Sequence, residues 1–147
     1  MPVQGIPGFA VGNITALVTS ETTGPAPTSI IERKSGWTVS TTLTLDGPGL
    51  VFFPNRVWHA KAFLESIGIG FEGQIGAVNV NTGAGPLPHP YVVKFDISVP
   101  AADPGIPALI EGVYELTVLI TLHDLPGDTP MPISAFADGI TISFYDA

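Results

Sequence analysis

The chain has 147 residues, a formal net charge of −8 and only 12% charged residues, against roughly 25% in a typical soluble domain. Its length suits one domain with a full hydrophobic core, and the lack of cysteine excludes disulfides and thiolate chemistry. The net charge falls entirely in residues 95–147, which hold eight acids and no base. Nucleic-acid binding is therefore not predicted, because phosphate contacts require a basic patch.

The first twenty residues carry no charge but do not resemble a signal peptide. They lack a basic segment at the start, and proline and glycine interrupt the apolar run. No stretch of the chain supplies the roughly 20 continuous apolar residues that a spanning helix needs. We expect synthesis in the cytoplasm without cleavage and no membrane span, with the final location left open.

Apolar and polar residues alternate in seven segments, which is the period of a β-strand with one buried face. In chain order the segments are 13–19, 37–45, 57–66, 75–81, 91–99, 112–122 and 139–146. Segment 112–122, GVYELTVLITL, contains a single acid, yet it is too short for a membrane helix and is predicted to be a central core strand. Loops rich in proline and glycine separate the segments. The sequence predicts an all-β fold, an antiparallel two-sheet sandwich of about seven strands.

The start of the chain is predicted to be an extended arm. Residues 20–35, SETTGPAPTSIIERKS, are mostly polar and contain proline, which is typical of a long connection. We therefore divide the chain into an N-terminal arm with an edge strand and linker, residues 1–35, and a β-sandwich domain, residues 36–147.

Residues 110–116, IEGVYEL, resemble the immunoglobulin-family segment in which an acid, a small residue and a tyrosine precede a core residue of strand F. Glu111, Gly112 and Tyr114 stand at those three positions, and Leu116 stands where antibody domains have their second cysteine. The resemblance implies an immunoglobulin-like sandwich with a tyrosine corner at Tyr114 and a buried core tryptophan at Trp58. Fibronectin-type and jelly-roll-like sandwiches fit the same strand pattern.

Three loops, 46–56, 82–90 and 123–138, are predicted to gather at one end of the sandwich, and we take that end as the candidate working surface. Its acids could supply carboxylate oxygens to calcium; they are Asp46, Asp124, Asp128 and Asp138. Their spacing matches no EF-hand loop, so calcium remains a weak hypothesis and no other cofactor is predicted.

The sequence offers little sign of catalysis or of a zinc or iron site. His59, His89 and His123 lack the short spacings typical of metal ligands, so we interpret them as surface or strand residues. Ser66 and Ser134 lie outside any nucleophile-elbow motif. Because no nucleophile, base and oxyanion donor can be assembled from motifs, we do not predict an enzyme.

The low charge density favours association with other protein subunits. The predicted loop end adds apolar residues that we expect to contact a partner: Phe52, Phe53, Leu125, Met131 and Phe136. The leading prediction is a non-enzymatic structural or interaction protein, a subunit of a homo-oligomer or multiprotein assembly formed through apolar strand faces, arm and loops. The alternative is a ligand-binding module for carbohydrate, lipid or calcium that uses loops 46–56, 82–90 and 123–138.

Overall fold

The computed structural model describes residues 3–4, 11–21, 24 and 26–146. The strands of this part are β1 (Val3–Gln4), β2 (Val11–Ser20), β3 (Ile30–Glu32), β4 (Trp37–Asp46), β5 (Arg56–Ser66), β6 (Gly73–Asn81), β7 (Tyr91–Val99), β8 (Gly112–Asp124) and β9 (Pro130–Tyr145). A 3-10 helix spans Pro48–Phe52, and α1 spans Ala102–Gly105. No helix in this part of the chain is long and apolar enough to cross a membrane.

The strands form two sheets that pack face to face. The larger sheet has the order β1-β9-β8-β5-β6, and β3 pairs in parallel with β9. The smaller sheet has the order β2-β4-β7, and both of its pairings are antiparallel. This arrangement confirms the predicted all-β, two-sheet sandwich. The seven predicted segments correspond to β2 and to β4 through β9.

The core lies between the sheets and follows the period-two pattern. On β8 the side chains of Tyr114, Leu116, Val118, Ile120 and Leu122 are buried, and alternate residues of β4 and β7 are buried in the same way. Strand β8 lies between β5 and β9, so GVYELTVLITL is a central core strand. Each fully buried aliphatic side chain contributes roughly 1.5–3 kcal/mol to the free energy of unfolding.

The described part of residues 1–35 is packed into the sandwich, and β2 is an edge strand of the smaller sheet. Strand β2 pairs with β4 over ten residues, and its residues Ile14 and Val18 are buried in the core. The segment that resembled a polar linker contains β3, whose Ile31 is fully buried. The connection runs from the smaller sheet, at β2, to the larger one, at β3.

The predicted long loop 123–138 is mostly strand. Strand β8 continues to Asp124 and β9 begins at Pro130, so only residues 125–129 connect them. Pro130 is the first residue of β9, where a missing N–H removes no interior ladder bond. Asp138 and Gly139 face a single residue of β8, and this bulge shifts the alternation of apolar residues. The bulge and the terminal proline concealed the strand in the sequence.

Candidate functional site

The two ends of the larger sheet carry different chemistry on its outer face. Strand β5 runs from one end, at Arg56, to the other, at Ser66, beside antiparallel β8. We call the end near Arg56 and Asp124 the histidine end, because His59 and His123 lie there. We call the end near Ser66 and Gly112 the isoleucine end, because exposed isoleucines surround it.

At the histidine end, His59 and His123 stack on the outer face of the sheet. His59 of β5 is paired with Thr121 of β8, and His123 lies two residues further along β8 on the same face. The two rings have centroids 3.8 Å apart and planes inclined by 24°. Both side chains are mostly buried, with 17% of His59 and 14% of His123 exposed.

Asp128 completes this cluster from the turn between β8 and β9. The ring Nε2–H of His59 donates to Oδ1 of Asp128 over 2.7 Å, and Nδ1 of His123 lies 3.4 Å from the same oxygen. The turn holds Asp128 in place because its backbone N–H donates to the carbonyl of Asp124 over 2.8 Å. One ligand atom from each of the three side chains lies within 4.8 Å of the others.

The four aspartates predicted for calcium are not brought together. Asp46 pairs with His89 at 3.1 Å, Asp124 forms an ion pair with Arg56, and Asp128 joins His59. Asp138 lies in the bulge of β9, away from the turn that carries Asp124 and Asp128. Each carboxylate thus has a different environment, and a shared oxygen cage is absent from the described residues.

The Asp46 carboxylate is stabilised in its charged form. A hydrogen bond from His89 and another from the backbone N–H of Gly47 lower the pKa of Asp46. Both contacts favour the carboxylate over the carboxylic acid. The side chain is exposed, so solvent weakens the effect.

The five apolar residues predicted to contact a partner have different environments. Phe52 and Leu125 are 58% and 43% exposed. Phe53 is fully buried and its ring packs edge-on against Trp58 at 5.8 Å, so its predicted role at a surface is corrected to a role in the core. Met131 and Phe136 are half-buried on β9.

An apolar groove lies at the histidine end, next to the segment that contains Phe52 and Phe53. Its volume is ≈ 270 Å³, and its lining residues are Leu50, Val51, Pro54, Pro86, Leu87 and His89. Ligand pockets usually measure roughly 300–1,000 Å³, so the volume of this groove is slightly below that range.

The three residues predicted to be structural lie in the core. Trp58 is fully buried and its indole N–H donates to the hydroxyl of Tyr91 over 3.1 Å. Burial raises the pKa of Tyr91, and the indole contact only partly offsets this rise. The hydroxyl of Tyr114 donates to the carbonyl of Ile110 over 3.0 Å, and Leu116 is fully buried.

At the isoleucine end, an apolar row crosses the outer face of the larger sheet. Ile30 is paired with Ser143, and Ser143 with Val113. The backbone N–H of Ile67 donates to the carbonyl of Val113 over 2.9 Å, which continues the row. Ile67 is 59% exposed, Ile30 57% and Val113 39%. Paired residues point to the same face, and with Tyr145 these three form what we call the isoleucine surface.

Charged groups border the isoleucine surface on two sides. Arg33 pairs with Asp146 at 2.8 Å and donates to the carbonyl of Leu109, and the Asp146 contact raises the pKa of Arg33. One row further into the sheet, Glu65 of β5 is directly opposite Glu115 of β8, and both are exposed. Like charges that face each other across strands oppose pairing, so the Glu65–Glu115 pair lowers the stability of the folded protein.

Sequence reasoning missed both the histidine cluster and the isoleucine surface. The signal for the first was present in part, because His59 falls on the polar side of segment 57–66 and His123 follows segment 112–122 in phase with Thr121. The sequence does not give the register between β5 and β8, and this register places His59 and His123 two positions apart on the same face. The isoleucine surface depends on pairings between four distant segments, and no local pattern contains these.

Comparison with known proteins shows likeness to solved structures only. No protein-family model matches the chain, and no curated protein matches its sequence. The CARDB domain of a Pyrococcus furiosus protein, in complex with di-metal ions, has 11% identity and a TM-score of 0.45, with coverage of 92% of this chain and 96% of that one. An adhesin from Mobiluncus mulieris has 13% identity and a TM-score of 0.45, with coverage of 91% and 57%.

The major subunit of aggregative adherence fimbriae type I from Escherichia coli, AggA, has 12% identity and a TM-score of 0.43, with coverage of 92% and 96%. At these identities and TM-scores the likeness carries no argument about function. The conclusions below therefore rest on the chain's own residues.

Proposed function

We propose that the protein is a non-enzymatic interaction module that associates with a second copy of itself through the isoleucine surface. The observation that carries this proposal is the row of Ile30, Val113 and Ile67, which are exposed on one face at the same end of the larger sheet, with Ser143 between Ile30 and Val113. Isolated exposed apolar residues are ordinary, whereas several gathered on one face of a sheet are typical of an interaction site.

A second copy is the partner that this surface fits most simply. In a two-fold contact the same patch meets itself, and an apolar row is complementary to its own copy. Such a contact would also bring the Glu65 and Glu115 rows of both copies near each other. Salt screens repulsion between exposed charges, so self-association should strengthen as ionic strength rises. A basic partner would give the opposite dependence.

Light scattering coupled to size exclusion, over a range of concentrations and salt, tests the proposal. The wild-type mass is expected to exceed that of one chain, and Ile67→Lys should weaken association at least about tenfold, as for a central interface residue. Val92→Lys is the matched control, because Val92 is 56% exposed on the outer face of the other sheet. A wild-type monomer under all conditions, or equal loss in both variants, would overturn the proposal.

A ligand-binding module is the second candidate, and the apolar groove at the histidine end favours it. This function predicts a monomer whose melting temperature rises with a small apolar or carbohydrate ligand. Val51→Asp, at the rim of the groove, should abolish that rise and leave the mass unchanged.

We also propose that the Tyr114–Ile110 hydrogen bond is the tyrosine corner of an immunoglobulin-like sandwich. Its support is the position of Tyr114 near the start of a core strand and the reach of its hydroxyl to a carbonyl four residues upstream. Tyr114→Phe, discussed below, measures its contribution.

A further inference from the structure

We infer that His59, His123 and Asp128 form a binding site for Zn²⁺. Three side chains of the types that bind zinc converge from two strands and the turn that follows one of them. The inference does not depend on self-association, since the site lies at the histidine end, opposite the isoleucine surface.

The donor atoms already have spacings close to those of a zinc site. With metal–ligand bonds of about 2.0–2.1 Å, two ligands of a tetrahedral ion stand about 3.3 Å apart. The separation of His123 Nδ1 and Asp128 Oδ1 is 3.4 Å. His59 Nε2 and Asp128 Oδ1 are 2.7 Å apart because they share a proton, and they need to separate by only a fraction of an ångström once the ion replaces it.

Two changes are required. Nδ1 of His123 lies 3.2 Å from the backbone carbonyl of Asp128, so it must give up the proton that it donates there before it can bind a metal. An imidazole nitrogen binds a metal in the plane of its own ring, and the two rings are stacked nearly parallel at 3.8 Å. One ring must therefore turn about its side-chain bonds before both nitrogens can reach the same ion. Asp128 is 56% exposed on the turn, so the carboxylate side of the cluster has room to adjust.

The ligand set favours zinc and similar ions over calcium. Imidazole suits Zn²⁺, Cu²⁺ and Ni²⁺, whereas Ca²⁺ takes six to eight oxygen ligands. Ring Nε2 of His123 lies 2.8 Å from the hydroxyl of Thr121, and a hydroxyl can accept from the N–H of the nitrogen that does not bind the metal. Such a contact fixes the ring of a metal-binding histidine. Three protein ligands leave one tetrahedral position for water.

Calorimetric titration of the wild-type protein with ZnCl₂ at neutral pH, beside CaCl₂, provides the first test. One Zn²⁺ per chain and no Ca²⁺ binding are expected. The chain has only three histidines, so imidazole resonances can be followed in the unmodified protein. Zn²⁺ should shift the signals of His59 and His123 and leave that of His89 in place.

Three variants locate the site, and the third histidine supplies the control. His59→Gln and His123→Gln should each weaken Zn²⁺ binding at least tenfold. His89→Gln, which removes a histidine paired with a different aspartate at the same end, should leave it unchanged. The inference is overturned by the absence of saturable binding, by a shift of the His89 signal alone, or by equal losses in all three variants.

Discussion

The histidine end and the isoleucine end belong to the same strands, but the first carries polar side chains that bond to one another and the second carries exposed apolar side chains. At the histidine end, polar and titratable side chains bond to one another: His59 and His123 with Asp128, Arg56 with Asp124, and Asp46 with His89. At the isoleucine end, the outer face presents apolar side chains with no cover from the described chain. In a protein with 12% charged residues, the histidine end thus holds three of the contacts between charged or titratable side chains, whereas the Arg33–Asp146 pair only borders the isoleucine surface. We attribute ion binding to the histidine end and association to the isoleucine end.

Removing residues 1–35 should have the largest effect, because the isoleucine end depends on the start of the chain. The deletion takes away Ile14, Val18 and Ile31, three buried core residues, and also exposes the edge of β4. At roughly 1.5–3 kcal/mol each, their loss approaches the whole stability of a typical domain, about 5–15 kcal/mol. We expect no cooperative transition in circular-dichroism melting.

The control for this deletion is removal of residues 1–10, which keeps β2 and β3 and should leave a cooperative transition. A cooperative, near-native melt after removal of residues 1–35 would contradict this expectation.

Two buried tyrosines, one near each end, allow a matched comparison. Tyr91→Phe leaves the buried indole N–H of Trp58 without its acceptor, which should cost about 1–3 kcal/mol of unfolding free energy. Tyr114→Phe releases the carbonyl of Ile110, an exposed residue that water can reach, and should cost about 0.5–1.5 kcal/mol. Urea denaturation of both variants measures the difference. A larger loss for Tyr114→Phe would contradict this assignment.

Alkaline pH should destabilise the protein partly through Tyr91. Its pKa is raised in the folded state above the ordinary value of 10.0, so the folded protein holds this proton more tightly than the unfolded chain. The contribution is complete below about pH 10 and is lost as pH rises through the folded pKa. Melting temperatures measured from pH 8 to 11 should therefore fall less steeply in Tyr91→Phe than in wild type. Parallel curves would rule out this contribution.

The smallest effect is expected from Asp46 in acid. Its pKa lies below the ordinary value of 3.8, so its stabilising contribution is present above that pH and is lost as pH falls through the folded pKa. Asp46→Asn should reduce the acid sensitivity of the melting temperature between pH 5 and 2. Identical acid profiles for Asp46→Asn and wild type would show that the His89 contact is without consequence for stability.

The sequence by itself determined the fold class, because alternation of apolar and polar residues states directly which side of each strand is buried. The resemblance of residues 110–116 to an immunoglobulin-family segment added roles for Tyr114, Leu116 and Trp58, and all three side chains are buried. Phe53 and the strand hidden in 123–138 were missed, because a 3-10 helix and a bulge each interrupt the period on which the reasoning depends.

Only the tertiary structure decided which residues meet. His59 and His123 are 64 positions apart in the chain, and their contact depends on the register between β5 and β8. Register is set by the combined packing of both sheets, and a slip of one residue would turn each histidine to the opposite face. The row of Ile30, Val113 and Ile67 depends in the same way on β3 pairing with the far end of β9. Local pattern therefore fixes the face on which a side chain lies, and long-range pairing fixes its neighbours.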